Sequence, residues 1–477
     1  MWVLLWVPLA VPVLTAALTV ATPRAARLAG VVASAAVLAC GVGLSAAALG
    51  GQDTTSAGGL LRADALSAFM LTVVGAVGVT ATWGGLAPLR SPVPSGHYAA
   101  LVSLFLGAMS LAVVADNLGV LWVAVEATTI ATAFLVGHHR TRQSLEASWK
   151  YVVLGSVGVA IALLGVVLLY AATRHSGAPT LSWVALRQHP SLLDPALLKV
   201  AAGLSVLGFA TKAGLAPMHS WLPDAHSQAP APVSGLMSGV LLSVAFYAIL
   251  RIQALADPVL GPALIRGLLT AGALLSLTVS AALLLRQRDY KRMLAYSSIE
   301  HMGLMALGAA AGGPLALTAV LLHMLGHGLA KATLFVVSGR LLAVEGSPLV
   351  GDVRGLLVRR PGLALPWLAG TAALLALPPF SLFFSEVGII LGAWRAGLGV
   401  VAGLAVALLL VVFAALVRLV AAMTLGPSGT SLPPDRSTHG PRVPLVLALG
   451  ATAVLALVPG PFAALLTQAA GVLAGDR

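Results

Sequence analysis

Eight ionisable side chains lie inside long apolar runs of this sequence, where such groups are rare. Each costs about 2.5–3.5 kcal/mol at the centre of a membrane on insertion scales, so each needs a functional or a structural reason. Groups of these types pass protons or hold ions at membrane depth. The eight residues are Glu126, Lys212, Glu300, His301, His323, His327, Lys331 and Glu386. Arg418 lies nearer the end of such a run, where its long stem reaches the interface or makes a structural contact.

Three of these side chains recur at every fourth position. His323, His327 and Lys331 therefore share one face of a helix. Two histidines at this spacing suit a metal ion, but a lysine on the next turn opposes metal binding and no glutamate completes an H-E-x-x-H motif. We therefore expect no metal site here. Glu300 and His301 have two open interpretations, which are a bond between neighbouring helices and a functional role.

Glu126, Lys212 and Glu386 lie on three separate apolar runs. A static ion pair would explain two of them, but three costly groups on separate segments favour a pathway for protons or ions. A desolvated amine also gives up its proton more readily than an amine in water, so a buried lysine can change its charge. We therefore expect Lys212 to gain and lose a proton in turn.

The composition requires a membrane protein with many spans. Hydrophobic residues make up 59% of the chain and the mean hydropathy is +0.99, which is more than a soluble domain can bury. Runs of about 20 apolar residues can cross the hydrocarbon core as helices, which satisfy their own backbone. The predicted fold is an all-α polytopic membrane protein with fourteen spans. They cover 2–21, 28–49, 66–88, 97–115, 118–137, 147–171, 195–216, 229–251, 262–285, 293–311, 314–340, 361–380 with a continuation to 395, 398–424 and 443–470.

Prolines interrupt two of these spans beside a charged residue. Pro217 follows Lys212, and the pair Pro378 and Pro379 precedes Glu386. Broken helices free backbone carbonyls where a cavity is lined, and paired broken helices are typical of inverted-repeat transporters. We therefore expect one membrane domain with two inverted five-helix repeats. Its expected parts are N-terminal helices at 1–96, a first repeat at 97–251, a second repeat at 262–424 and a C-terminal helix at 443–470.

The basic loops set the expected orientation. Lys and Arg are more frequent in the loops that contain HHRTRQ, RQRDYKR and GDVRGLLVRR than in the loops between them, so these loops should face the cytoplasm. Both termini should then lie outside, and Arg288, Arg359 and Arg436 should lie inside. The formal net charge of +12 is dispersed over short loops, which fits membrane topology and attraction to anionic lipid headgroups and not binding of nucleic acid.

We expect no redox cofactor in this chain. Cys40 is the only cysteine, which excludes an all-cysteine iron–sulfur cluster and an intrachain disulfide. The sequence contains no Walker loop and no convincing dinucleotide fingerprint. Any electron transfer must therefore take place in another subunit.

Four stretches of the sequence resemble one family of membrane proteins. They are VEATTIATAFLV with SLEASWKYVVLGSVG, KAGLAPMHSWLPDAHSQAPAPVSG, DYKRMLAYSSIEHMG and HMLGHGLAKATLF. Over nearly its whole length, the chain resembles the antiporter-like proton-translocating subunits of respiratory complex I, Mrp-type antiporters and group 4 membrane-bound hydrogenases. The resemblance is greatest to the component F-type subunit of hydrogenase-4 and formate hydrogenlyase, because AYSSIEHMG and APAPVS favour the hydrogenase-linked branch.

The resemblance implies a role for each predicted site residue. Glu126 matches the fifth-helix glutamate of the family, and Lys212 matches the broken-helix lysine that forms a charge pair with it. Glu386 matches the terminal charged residue on the broken twelfth helix. The central relay of the family is matched by His323, His327 and Lys331.

One position departs from the family pattern. Relatives in complex I often have a lysine in the eighth span, where this chain has Ser243. The resemblance then implies that water or His323 spans the gap, with Ser243, Glu300 and His301 as possible relay residues.

Two functions stay open on the sequence alone. The first is a proton-translocating subunit of a redox complex in the cytoplasmic membrane, bound to other membrane subunits and to a peripheral hydrogenase-like or quinone-reducing module. Nickel–iron and iron–sulfur centres are then expected in the partner subunits, and this chain is part of an enzyme only through them. The second is a subunit of a cation/proton antiporter or of an inorganic-carbon uptake complex. A membrane anchor with a disused channel is a third interpretation. The chain ends about seven residues after the last predicted span, so we expect no long lateral C-terminal helix.

Overall fold

The structure is a computed structural model that describes residues 1–86, 94–174, 179–425, 440–457 and 460–475. Helices dominate it, as the all-α prediction requires. In chain order they are α1 (Val3–Ala21), α2 (Ala26–Leu49), α3 (Ala65–Gly84), α4 (Gly96–Val114), α5 (Leu118–Val136), α6 (Arg142–Ala172), α7 (Trp183–Gln188), α8 (Pro195–Lys212), α9 (Trp221–Gln228), α10 (Ala231–Leu236), α11 (Leu242–Leu260), α12 (Ala263–Leu284), α13 (Tyr290–Ala311), α14 (Gly313–Glu345), α15 (Leu356–Arg359), α16 (Pro361–Leu374), α17 (Ser381–Arg395), α18 (Gly399–Leu425), α19 (Val443–Leu457) and α20 (Pro461–Ala474). A π-helix, Met237–Leu241, joins α10 to α11.

Eleven spans of the described residues are long and apolar enough to cross a membrane, and the pair α19 and α20 would make twelve if they form one span. Two further predicted spans coincide with helices outside this group. Polar residues lower the hydropathy of α13, and α16 is too short by itself. The membrane fold is confirmed, whereas the count of fourteen spans stays a prediction.

Three helix boundaries in the structure differ from the predicted ones, and each lies next to a proline. The helix α8 ends at Lys212 and not at 216, and α16 ends at Leu374 and not at 380, because each break begins ahead of its proline. The predicted span 443–470 is two helices, α19 and α20. The sequence between them is Val-Pro-Gly-Pro, which lacks two of the backbone N–H groups that a continuous helix needs.

A short β-hairpin lies between the second and third spans and was not predicted. Strand β1 (Thr54–Ser56) pairs antiparallel with β2 (Leu61–Ala63), with Ser56 opposite Leu61. The turn passes through Gly58 and Gly59, whose φ angles are positive at 65° and 94°. Glycine adopts such angles without steric cost, so this turn suits the two residues.

Side-chain caps fix where two site-bearing helices begin. The side chain of Asn117 accepts hydrogen bonds from two backbone N–H groups in the first turn of α5, which carries Glu126. Asp289 does the same for α13, which carries Glu300 and His301. Such caps satisfy N–H groups that have no partner within the helix. They therefore set the depth at which these ionisable residues lie.

The centre of the protein is formed by α10, the π-helix, α11 and α14, which are almost completely buried, whereas α1 and α18 are largely exposed. The π-helix and α14 cross in backbone contact. A Cβ atom on Gly239 would lie 2.8 Å from the carbonyl oxygen of Gly328, and one on Gly328 would lie 2.6 Å from that of Gly239. Only glycine permits this approach at both positions.

The predicted cytoplasmic loops gather at one end of the structure. Residues Asp289 and Leu349 form a β-bridge between two of these loops, and Asp224 binds both Lys150 and Arg292. The hairpin lies at the opposite end, where Leu61 bridges to Ala115 ahead of α5. This grouping fits the predicted topology, although which end faces the cytoplasm stays a prediction. Arg436 lies outside the described residues.

Candidate functional site

The lysine site consists of Lys212 and the residues that contact it. Lys212 is completely buried at the C-terminal end of α8, where the helix dipole favours a cation. Its Nζ donates to the hydroxyl of Thr129 at 2.6 Å and to that of Tyr151 at 2.5 Å. The Tyr151 ring lies 4.6 Å from Nζ, and its hydroxyl also meets Thr132 at 2.5 Å. Hydroxyl groups therefore replace the water that a lysine would otherwise bind.

Glu126 belongs to the same site but makes no direct ion pair with Lys212. Among the described residues, no carboxylate lies within 4.0 Å of Lys212 Nζ. Instead Thr129, which accepts from Lys212, donates to Glu126 Oε2 at 3.3 Å, while Ser156 on α6 donates to Oε1 at 3.1 Å. The expected charge pair is thus corrected to a pair bridged by Thr129. The reason is that Thr129 lies about one turn further along α5 and closer to Lys212 than Glu126 does.

A break in the helix follows Lys212 as predicted, and Trp221 stabilises it. At the end of α8 the carbonyl oxygen of Thr211 accepts from the backbone N–H of Gly214 at 3.2 Å and from Trp221 Nε1 at 2.9 Å. The backbone N–H of Ala216 donates to the Ser276 hydroxyl at 2.9 Å. Side chains therefore satisfy backbone groups that the break has freed.

His226 is a buried polar residue of this region that we did not predict as a site residue. Its ring lies 6.5 Å from that of Trp221 and stacks at 5.2 Å on Phe335, one turn after Lys331 on α14. Neither ring nitrogen has a hydrogen-bond partner within the described part of the chain. The signal in the sequence was a histidine in the short segment LPDAH directly after a broken helix.

Lys331 is the second buried lysine, and it lies on the central helix α14. Its Nζ donates to the carbonyl oxygen of Leu294 at 2.6 Å and to the Ser297 hydroxyl at 2.5 Å, both on α13. His226 and Glu300 are both near enough to interact with it electrostatically. His226 therefore lies near Lys331 and near Trp221, although no hydrogen bond among the described residues joins its ring to either one.

Ser243, the possible substitute for an eighth-span lysine, is not joined to this line of groups. Its hydroxyl is completely buried in α11 and has no hydrogen-bond partner among the described residues. A part for Ser243 in a relay therefore stays a prediction.

The histidine cluster comprises Glu300, His301, His323, His327 and Glu386. His301 Nδ1 lies 3.0 Å from His323 Nε2, and His301 Nε2 lies 3.5 Å from a carboxylate oxygen of Glu300. His301 and His327 have ring centres 5.0 Å apart. The structure therefore brings together the predicted relay residues of α13, α14 and α17.

When the histidines of this cluster are neutral, its hydrogen bonds indicate which ring nitrogens of His323 and His301 carry the proton. The Ser385 hydroxyl donates to the carbonyl oxygen of Leu382 at 3.0 Å, so it accepts from His323 Nδ1 at 2.9 Å. His323 Nε2 is then an acceptor, and His301 Nδ1 donates to it. His301 Nε2 then faces Glu300 at 3.5 Å without a hydrogen-bond partner in the described part of the chain.

Glu386 lies at the edge of the cluster beside a cavity. Its Oε1 is 4.0 Å from His301 Nδ1, and its side chain is 19% exposed. The cavity has a volume of about 370 Å³ and is lined by Glu300, Glu386 and apolar residues of α17 and α18. Glu386 therefore lies between the histidine cluster and this cavity.

The donor atoms of His301, His323 and Glu386 lie within 4.8 Å of one another, a group that was not considered for metal binding from the sequence. Two of these atoms, His301 Nδ1 and His323 Nε2, already share a hydrogen bond. A metal ion would need both lone pairs and would displace the proton between them. The arrangement suits proton transfer better than metal coordination.

The chain matches the model of a single protein family over residues 115–413. This family is described as NADH:quinone oxidoreductase/Mrp antiporter, transmembrane. The chain belongs to this family. All the predicted site residues, from Glu126 to Glu386, lie inside the matched region, whereas α1 to α4 and α19 to α20 lie outside it.

A relative is similar to about three quarters of the chain, and two solved structures are similar to nearly all of it. A hydrogenase-4 component F homolog from Methylacidiphilum infernorum is 39% identical over 349 residues, which are 72% of this chain and 73% of that protein. The structure of a membrane-bound sulfane sulfur reductase, an archaeal respiratory membrane complex, contains a chain with a TM-score of 0.89 and 27% identity, covering 99% of this chain and 98% of the other. A chain of respiratory complex I from Thermus thermophilus has a TM-score of 0.84 and 25% identity, covering 99% of both chains.

Proposed function

We propose that the chain is a proton-translocating subunit of a multi-subunit redox complex in the cell membrane. The observation that supports it is a line of buried protonatable groups through the centre of the molecule. The line starts at Glu126 and Lys212, passes His226 to Lys331, and continues through the histidine cluster to Glu386. Ionisable groups are costly at this depth, and a connected series of them is typical of a proton pathway.

In this proposal the two lysines store protons and the other groups pass them on. Lys212 donates to the Thr129 hydroxyl, which also contacts Glu126, so a proton reaches Lys212 through Thr129 without a change in the backbone. Lys331 is bound only by a carbonyl and a hydroxyl among the described residues, and no neighbour within 4.0 Å carries a negative charge. It therefore gives up its proton more readily than a lysine in an ion pair.

The histidine cluster then carries protons toward the cavity. His301 and His323 are in direct hydrogen-bond contact, and each can accept a proton on one nitrogen while releasing one from the other. Glu386 takes up the proton at the cavity. The pathway runs in either direction, and the driving reaction in the partner subunits sets which one.

The partners follow from the same proposal. The related proteins named above are a hydrogenase component and chains of respiratory complexes, which supports other membrane subunits as neighbours. We propose that a peripheral module carries nickel–iron and iron–sulfur centres or reduces a quinone, and that this chain converts the free energy of electron transfer into proton movement. Moving one charge against 100 mV requires about 2.3 kcal/mol.

Lys331→Met tests the proposal in the purified complex reconstituted into vesicles. Proton translocation, followed with a pH-sensitive dye, should fall on the order of a hundredfold, while electron transfer and subunit composition are retained. Ser243→Ala is the matched control, because it also removes a buried polar group of a central helix but one outside the line. Unchanged pumping by Lys331→Met would disprove the pathway, and a requirement for Na⁺ would assign the chain to cation/proton exchange.

A further inference from the structure

A groove with a strongly basic lining lies at the end of the structure where the predicted cytoplasmic loops gather. Its volume is about 800 Å³, and it is bounded by the C-terminal end of α12, the loop before α15 and one side of α18. Three arginines line it, namely Arg286, Arg288 and Arg418, against one aspartate, Asp352. The carboxylate of Asp352 accepts a hydrogen bond from Ser347 at 2.5 Å, so part of its bonding capacity is already used.

The arginine from α18 is held in place by the end of α12. Arg418 donates to the carbonyl oxygen of Leu285 at 2.6 Å, just beyond the last residue of α12. This contact confirms the structural role that the sequence left open for Arg418. It also covers the negative end of the α12 dipole, which would otherwise repel an anion. Arg286 and Arg288 have no carboxylate within 4.0 Å in the described part of the chain.

Both helices beside the groove continue into exposed apolar faces. On α12 these faces include Leu268, Leu275 and Leu283, and on α18 they include Val411 and Val417. Apolar surface of this extent on membrane-spanning helices contacts acyl chains. A molecule in the groove would therefore have a cationic pocket for its head and apolar helix faces for its tails.

We propose that this groove binds the phosphate headgroup of an anionic phospholipid. Three guanidinium groups and one carboxylate give the groove a net positive charge. This charge complements the negative charge of a phosphodiester headgroup. Arginine binds phosphate oxygens through parallel N–H donors, so the three residues supply more donors than one headgroup needs. The lipid comes from the leaflet on the side of the basic loops, where anionic lipids attract basic residues. The bound lipid ties α12 to α18 at the membrane surface.

Native mass spectrometry of the purified full-length chain tests this proposal. The chain is titrated with phosphatidylglycerol or phosphatidylcholine, and the bound lipid is counted. We expect one phosphatidylglycerol to be retained in preference to phosphatidylcholine. Each arginine near the membrane surface contributes about a fivefold factor in affinity, so Arg418→Gln should weaken retention about fivefold and the pair R286Q/R288Q on the order of twentyfold.

Arg142→Gln is the matched control, since it removes an exposed arginine from the same end of the chain but outside the groove. Its lipid retention should equal that of the unchanged chain. The double variant keeps the Arg418 contact to α12, so it answers the question even if Arg418→Gln fails to fold. Displacement of the lipid by millimolar inorganic phosphate would reassign the groove to free phosphate. No preference for phosphatidylglycerol, or an equal loss with Arg142→Gln, would overturn the proposal and leave the groove as a contact for another subunit.

Discussion

Thr129 matters more in this structure than its neutral side chain suggests. It is the one hydroxyl among the described residues that contacts both Glu126 and Lys212, at 3.3 Å and 2.6 Å. An intervening hydroxyl weakens the direct attraction between the two charges but gives the proton a short route between them. The coupling of the two charges therefore depends on a side chain that carries none.

Thr129→Val should slow proton translocation by about tenfold or more, because a hydrogen bond to a charged group is lost and replaced by a methyl group. Thr128→Val is the matched control, since the Thr128 hydroxyl only bonds the carbonyl oxygen of Val125 within its own helix at 2.6 Å. Proton uptake by reconstituted vesicles gives the comparison. Equal rates for the two variants would show that Thr129 is not the bridge.

Ser385 offers a second test that leaves every charged residue in place. Its hydroxyl fixes which nitrogen of His323 carries the proton. Ser385→Ala should reduce proton translocation about tenfold by allowing the unproductive tautomer, whereas Ser381→Ala should have little effect. Ser381 is buried on the same helix, but its hydroxyl has no partner in the described part of the chain. A rescue of the rate by Ser385→Thr would support the tautomer argument, and identical losses in both alanine variants would contradict it.

The broken helix depends on Trp221 for its stability. Trp221→Phe should lower the free energy of unfolding by about 0.5–1.5 kcal/mol, because the carbonyl of Thr211 loses the shorter of its two hydrogen bonds in a buried place and keeps only the bond from Gly214 N–H. Trp367→Phe is a close control. Trp367 is equally buried, but its Nε1 has no hydrogen-bond partner among the described residues. Thermal unfolding in detergent should therefore show a larger loss for Trp221→Phe, and a larger loss for Trp367→Phe would contradict the role of the bond.

The elements of this fold follow from the sequence more closely than the contacts between them. Apolar runs and the prolines after Lys212 and before Glu386 locate the spans and both breaks. Those signals are local, since a proline stops a helix wherever the helix lies. The hairpin at Thr54 was missed because three-residue strands leave no periodic pattern.

The candidate site was predictable as a set of residues and not as a set of contacts. Ionisable residues such as Glu126 and Lys212 could be recognised in the sequence because their types are rare in apolar runs. Thr129 did not stand out, because threonines are common in membrane helices and its role depends on how α5 packs against α8. His226 was missed for a different reason, since its segment is short and polar and looks like a loop.

The orientation of the complete chain is open to a direct measurement. Arg288→Cys should react with a membrane-impermeant maleimide only from the cytoplasmic side, and Thr55→Cys in the hairpin only from outside, because the two positions lie at opposite ends of the structure. The native Cys40 is buried and should stay unlabelled. Labelling of both variants from the same side would refute the topology. The opposite sidedness for both would invert the chain and place the basic loops outside.

The contact between Gly239 and Gly328 restricts how the centre of this protein can work. On α14, His327 directly precedes Gly328 and Lys331 follows it by one turn. Both relay residues therefore lie next to this backbone contact. A rotation of α14 about its axis by one residue, about 100°, would bring a neighbouring side chain against a carbonyl oxygen of the π-helix. A rotation of the central helix at this contact is therefore blocked. The driving reaction can reach the buried lysines without such a rotation, as a change of electric field, of side-chain rotamer or of hydration.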